Sequence, residues 1–130
     1  MDKTIDFPAE FGTRFCLTVD TEEEFAWGAE LSRDGHGVSS VPALREGQAY
    51  FQAAKVIPLY YVDKPVLASD VATEIFREWI EEKSADFGVH LHPWVTPPFD
   101  EFVSRANSYA GNLPEEMERA KLVHVRNLMI

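Results

Sequence analysis

Three short apolar segments recur along this chain, each of a length typical of a β-strand. They cover residues 14–19, 57–62 and 87–92 and are rich in Val, Ile, Leu, Phe and Tyr. The second segment is apolar at almost every position, which predicts a strand covered on both faces. The pattern therefore predicts three strands, separated by stretches long enough to hold a helix.

Helical spacing fills the intervals between these strands. A first helix is expected to open near Pro42, and a second to begin at Ser69 or Asp70, either of which is a good cap. A last helix is expected to begin near Pro114. Apolar residues recur at spacings of three and four in the first two segments, as one buried helical face requires.

The order of elements predicts the fold class. Strands and helices alternate as β-α-β-α-β-α, which indicates an α/β fold with neighbouring strands parallel. No linker or repeat interrupts residues 1–130, so we expect one domain. In parallel α/β folds the functional side chains gather beyond the carboxyl ends of the strands.

Acidic and imidazole side chains stand where two of the predicted strands end. Asp20 and Glu22 come directly after the first strand, and His90 and His92 close the third. Residues two apart in an extended chain face the same side, so the two imidazoles should project together. Carboxylates and imidazoles bind divalent metals and also act as general bases. The sequence therefore predicts a metal or general-base site, provided that the first and third strands end side by side.

Several neighbouring side chains have a structural interpretation as well. Glu23 and Glu24 fit a solvated loop or an acidic first helical turn, and His36 and His124 fit the surface. The paired imidazoles themselves have a structural alternative, as two hydrogen-bonded histidines.

Two tryptophans follow the candidate sites within a few residues. Indole rings beside a polar site stack on sugars and other flat ligands, and they also serve as core packing. Trp27 and Trp94 are therefore candidate substrate-binding residues, with core packing as the alternative.

Composition narrows the classes of function. The 130 residues carry a net charge of −10, which disfavours nucleic acids and anionic membrane surfaces as partners. The only cysteine, Cys16, is expected as a small core residue, and no internal disulfide can form. The sequence shows no leader-like segment and no apolar run near the roughly 20 residues that span a bilayer. A cytoplasmic location is therefore expected.

The site segments resemble the motifs of a known family. Residues 15–22, Phe-Cys-Leu-Thr-Val-Asp-Thr-Glu, are similar to the first motif of the NodB-type polysaccharide deacetylases, carbohydrate esterase family 4. Residues 90–94, His-Leu-His-Pro-Trp, are similar to the second, histidine-bearing motif. Residues 19–25, 92–99 and 107–114 resemble an uncharacterised branch of that family, whose members are similar to a lipopolysaccharide-biosynthesis protein.

The resemblance implies an irregular (β/α) barrel and a metal-dependent hydrolase that removes an acetyl group from a carbohydrate. In the family one Asp and two His hold a divalent ion, usually zinc, and an adjacent Asp acts as base. By this resemblance Asp20 matches the base and His90 matches the first histidine ligand. Trp27 and Trp94 would line the sugar site.

The chain departs from the family pattern at two ligand positions. The family's second Asp is Thr21 here, and its second histidine, four residues after the first, is Trp94. We therefore expect a rearranged zinc site in which Asp20 or Glu22 joins two histidines, His90 and His92.

The resemblance covers only the N-terminal part of the family domain. We expect a partial, truncated NodB-like barrel with little or no activity alone, and a homodimer formed through the exposed sheet edge. Two alternatives stay open. One is a non-catalytic module that binds a glycan or a protein partner, and the other is a hydrolase of non-sugar amides such as cyclic amides.

Overall fold

The computed structural model describes residues 5–34 and 36–129, and this part of the chain forms a three-stranded parallel sheet in the order β1-β2-β3. The strands are β1 Thr18–Thr21, β2 Leu59–Val62 and β3 Asp86–Val89. The mixed α/β class with parallel strands, predicted from the order of elements, is confirmed.

Helices connect and cover the strands. Within the described ranges the α-helices are α1 Leu44–Ala53, α2 Lys64–Leu67, α3 Asp70–Glu81 and α4 Glu115–Leu128. The Ser69 hydroxyl accepts a hydrogen bond from the Ala72 N–H at 3.4 Å, so the predicted cap of α3 is confirmed. Among residues 5–34 and 36–129, no helix has the length and apolar character needed to cross a membrane.

The core lies between one face of the sheet and α3. Tyr60 is 1% exposed and packs against Trp79, with ring centroids 5.2 Å apart, and against Phe76. Each large side chain buried in this way contributes about 1.5–3 kcal/mol to folding. Leu59 and Tyr61 face the opposite way and are only half-buried. The expectation that β2 is covered on both faces is therefore not met, because the described elements fully bury only the Tyr60 side.

β1 begins later than the predicted range 14–19. The ladder starts at Leu17, whose C=O accepts a hydrogen bond from the Leu59 N–H at 2.9 Å, and the strand runs to Thr21. Cys16 therefore precedes the sheet and is exposed, contrary to the core position expected for it.

β3 ends at Val89, earlier than the predicted range 87–92. The His90 N–H still donates to the Val62 C=O at 2.9 Å, before the chain turns into the short 3₁₀ helix Pro93–Val95. Because β2 lies between β1 and β3, the first and third strands are not neighbours, contrary to expectation. Their polar ends meet across the end of β2 instead.

Candidate metal centre

Three metal-binding atoms converge beyond the carboxyl ends of the strands. The Oε2 atom of Glu22 lies 3.1 Å from Nε2 of His90 and 3.2 Å from Nε2 of His92. The two Nε2 atoms are themselves 3.2 Å apart. In a tetrahedral zinc site with bonds of about 2.0–2.1 Å, neighbouring ligand atoms lie about 3.3 Å apart. The triangle therefore has the size of one face of such a site.

Local sequence explains why the two imidazoles share a side. The backbone at His92 is extended, with φ −101° and ψ 105°, as steric contact with the ring of Pro93 requires of a residue before proline. The strand-like alternation therefore continues past β3, and the rings of His90 and His92 lie 4.7 Å apart. The prediction that they project together is confirmed.

A buried carboxylate orients His92. Nδ1 of His92 lies 2.7 Å from Oε2 of Glu23, and the Glu23 side chain has no exposed area. A carboxylate at this nitrogen favours a proton on Nδ1 and leaves the lone pair of Nε2 free to bind a metal. The expectation that Glu23 is solvated is wrong, because the alternation of buried and exposed positions continues past β1 and buries Glu23 two residues after the buried Thr21.

Asp63, which follows β2, binds the backbone of the same glutamate. Its Oδ2 accepts a hydrogen bond from the Glu23 N–H and its Oδ1 accepts one from the Val66 N–H, both at 3.0 Å. Oδ2 also lies 3.9 Å from Nδ1 of His92. Sequence reasoning missed Asp63, although it follows an apolar strand directly, which is the signal that drew attention to Asp20.

Burial shifts the protonation of these three groups. Burial raises the pKa of Asp63 to about 7, and the neighbouring Glu23 side chain adds to the shift. Burial also raises the pKa of Glu23. The pKa of His92 is lowered by burial, against the opposing pull of nearby carboxylates. His92 is thus favoured as a neutral imidazole, the form that binds metals.

Asp20 lies outside the triangle, on the other side of the His90 ring. Its Oδ1 is 3.8 Å from Nδ1 of His90, and 67% of its side chain is exposed. It borders a cleft of about 320 Å³ next to the triangle. The lining residues of this cleft are Asp20, Thr21, Glu22, Ser40, Val41, Ala43 and Leu44.

The two candidate tryptophans have different environments. Trp94 is 4% exposed and stacks on the ring of His92, with the ring centroids 4.3 Å apart, so it packs against that side chain. Trp27 is 63% exposed and contacts Phe25 edge-on at 4.6 Å. Of the two tryptophans, only Trp27 is exposed enough to contact a ligand.

The other two histidines stand apart from the cluster. His36 is half-buried, with its Nε2 3.0 Å from the C=O of Arg33, and His124 is half-buried on α4. Neither belongs to a group of metal-binding atoms found among the described residues.

Comparison with known proteins identified no relative of this chain. No protein-family model, no curated protein and no solved structure matches the chain.

Proposed function

We propose that this chain is a metal-dependent hydrolase of the polysaccharide deacetylase type, with zinc held by Glu22, His90 and His92. The observation that carries the proposal is the convergence of one carboxylate oxygen and two imidazole nitrogens within 3.2 Å of one another. Such atoms present lone pairs to the same point, and one divalent cation can satisfy all three.

The residues around the triangle suit hydrolysis of an acetyl amide or ester. Bound zinc would supply a Lewis acid that polarises the acyl carbonyl and acidifies water. Asp20 is exposed and borders the cleft, so it can accept a proton there as the general base. Glu23 binds Nδ1 of His92 and so orients the ring with Nε2 toward Glu22 and His90.

We extend the proposal to the fold, in which the three-stranded sheet corresponds to the first part of a NodB-like (β/α) barrel. Of the segments that resemble the family's motifs, residues 15–22 contain β1 and residues 90–94 follow β3, so both reach the carboxyl ends of the strands, where the site lies. The two departing positions also have local substitutes. Thr21 is buried and Trp94 packs on His92, while Glu22 and His92 supply the ligand atoms.

Metal titration of the purified protein tests the ligand set. We expect wild type, stripped with a chelator, to bind one equivalent of Zn²⁺ or Co²⁺, and His92→Ala to bind at least about tenfold more weakly. His124→Ala, a histidine on α4 outside the cluster, is the matched control and should behave as wild type. Equal metal affinity of wild type and His92→Ala would exclude this site.

An activity assay tests the chemistry. Acetate release from acetylated oligosaccharides, expected to be slow for a partial barrel, should require the divalent metal and stop on addition of a chelator. Release that continues unchanged with the chelator and in Asp20→Asn would refute the assigned mechanism.

A second candidate is a non-catalytic glycan-binding module, which the widely exposed indole of Trp27 favours. Sugar titrations with the chelator present discriminate the two. Binding that ignores the chelator and is lost in Trp27→Ala supports the module.

A further inference from the structure

Lys121 of α4 is fully buried, and its ammonium group is enclosed by oxygen atoms. Nζ lies 3.0 Å from the C=O of Pro93, 2.6 Å from those of Thr96 and Pro98, and 3.0 Å from Oε1 of Glu101. An ammonium group has three N–H donors, and here they serve three carbonyls and one carboxylate. The ammonium group of Lys121 thus binds four oxygen atoms at once, as a bound metal cation would.

All four oxygens belong to one segment, residues 93–101, which begins immediately after His92. This segment lies outside the β-ladder, so its carbonyls need other donors, and Lys121 supplies them. Arg33 pins the end of the segment by donating to the C=O of Glu101 and lying 4.6 Å from the ring centroid of Phe99. The loop is therefore fixed by side chains from outside it.

The fixed loop adjoins the metal-binding imidazole at two points. The carbonyl of Pro93, which Lys121 binds, belongs to the residue that follows His92. The ring of Trp94, next in the chain, stacks on the imidazole of His92 at 4.3 Å and an interplanar angle of 19°. A shift of the loop would therefore move both the backbone and the platform of His92.

We propose that Lys121 is a positioning residue of the metal centre, holding residues 93–101 so that His92 keeps its orientation toward Glu22 and His90. This inference rests on the proposed metal site. Burial of a lysine is costly unless the charge is paired, and a functional site needs its ligands held to within about 0.5 Å. The oxygen cage around Lys121 meets both requirements.

Lys121→Met tests the proposal, because it keeps the aliphatic length and removes the donors. We expect the folded variant to bind Co²⁺ about tenfold more weakly than wild type, with an altered visible spectrum that reports changed coordination. Arg119→Met is the matched control on the same helix, since Arg119 is exposed and forms an ion pair with Glu115 at 3.7 Å, away from residues 93–101. Wild-type affinity and spectrum in folded Lys121→Met would overturn the proposal.

Glu101→Gln serves if Lys121→Met does not fold, because it removes the one charged partner and keeps the ammonium with its three carbonyls. We expect about threefold weaker Co²⁺ binding and a shifted spectrum. Unchanged binding with an unchanged spectrum would contradict the positioning role.

A metal-free measurement separates this inference from the proposed function. The Nδ1–H proton of His92, held by Glu23, should give a slowly exchanging imidazole signal by NMR in wild type and in Arg119→Met. Its loss in folded Lys121→Met supports positioning, and its persistence there overturns it. Wild type that binds no Co²⁺ refutes the metal site, and the NMR result still decides the role of Lys121.

Discussion

His92 shows how neighbours give a side chain its chemistry. Pro93 restricts its backbone to an extended conformation, Glu23 takes the proton-bearing side of its ring, and Trp94 covers one face. What remains accessible is Nε2, which meets the corresponding atom of His90. These neighbours set the orientation and the protonated nitrogen of the ring, and none of them belongs to the Glu22–His90–His92 triangle.

Glu23→Gln is predicted to weaken zinc binding by about 10–100-fold while leaving all three ligands in place, because a neutral amide holds and polarises the imidazole less well. Competition against a chromophoric chelator measures the affinity. Glu24→Gln is the control, since Glu24 is exposed and accepts hydrogen bonds from Ser39 and the Ser40 N–H instead. If both variants bound zinc equally, Glu23 would have no part in the site.

Alternation along the chain was enough to predict that His90 and His92 project to the same side, but it did not identify the residues that hold them. Glu23 was missed because three consecutive glutamates resemble a solvated turn, although Glu23 lies two residues after the buried Thr21 and is itself buried. Its buried backbone N–H is bound by Asp63, which follows β2. Lys121 carried a signal that was available: it stands four residues from both Met117 and Val125, on the inner stripe of α4. A charge in that position predicts a buried partner.

At the scale of elements, close approach of β2 and β3 depends on a glycine. Gly88 pairs with Tyr61, and a Cβ atom at Gly88 would lie 2.8 Å from two ring atoms of Tyr61. That distance is well inside van der Waals contact. The ring therefore occupies the space that a side chain on β3 would need.

Gly88→Ala is predicted to lower the free energy of unfolding by about 1–3 kcal/mol, because the Tyr61 ring must move. Gly47→Ala in α1 is the matched control, with its nearest neighbouring atom, in Phe51, 4.0 Å from the added Cβ. Gly47→Ala should raise the free energy of unfolding by about 0.5–1 kcal/mol, because alanine favours the helix more than glycine does. Urea unfolding of both variants measures the difference, and effects of the same sign would contradict the packing described for Gly88.

Element type was easier to predict than element limits. The sequence predicted a strand from residue 14, yet Arg14, Phe15 and Cys16 are all exposed, since hydrogen bonding to β2 begins only at Leu17. Composition records which residues could lie in a strand, whereas the ladder depends on where the partner strand begins.

For the molecule as a whole, one buried phenol links global stability to alkaline pH. Tyr60 donates a hydrogen bond to Oε1 of Gln48 at 2.9 Å, and burial raises the pKa of Tyr60 from 10.0 to about 12. The folded state therefore holds this proton more tightly than the unfolded state. The resulting stability is complete below pH 10 and is lost as the pH rises through about 12.

Tyr60→Phe is predicted to flatten the fall in unfolding free energy between pH 10 and 12. The wild-type curve should fall by on the order of 3 kcal/mol more than that of the variant, given about 1.4 kcal/mol per pKa unit. Urea unfolding at steps of pH measures both curves, with Tyr50→Phe, an exposed tyrosine, expected to follow wild type. Parallel wild-type and Tyr60→Phe curves would contradict the assignment.

The parallel α/β class followed from the order of elements, but strand adjacency did not. In the described ranges β2 separates the two strands that carry the predicted site, and the side chains of Glu22 and His90 meet across the end of β2. The outer edges of β1 and β3 have no strand partner among residues 5–34 and 36–129, and pairing of two copies there stays a prediction.

The anchoring of residues 93–101 by Lys121 also has a consequence in time. During synthesis His90 and His92 leave the ribosome before α4. The imidazoles are therefore present before Lys121, which holds the loop that follows them. Until α4 docks, residues 93–101 would lack the ammonium of Lys121, so formation of the proposed metal centre would be coupled to docking of that helix.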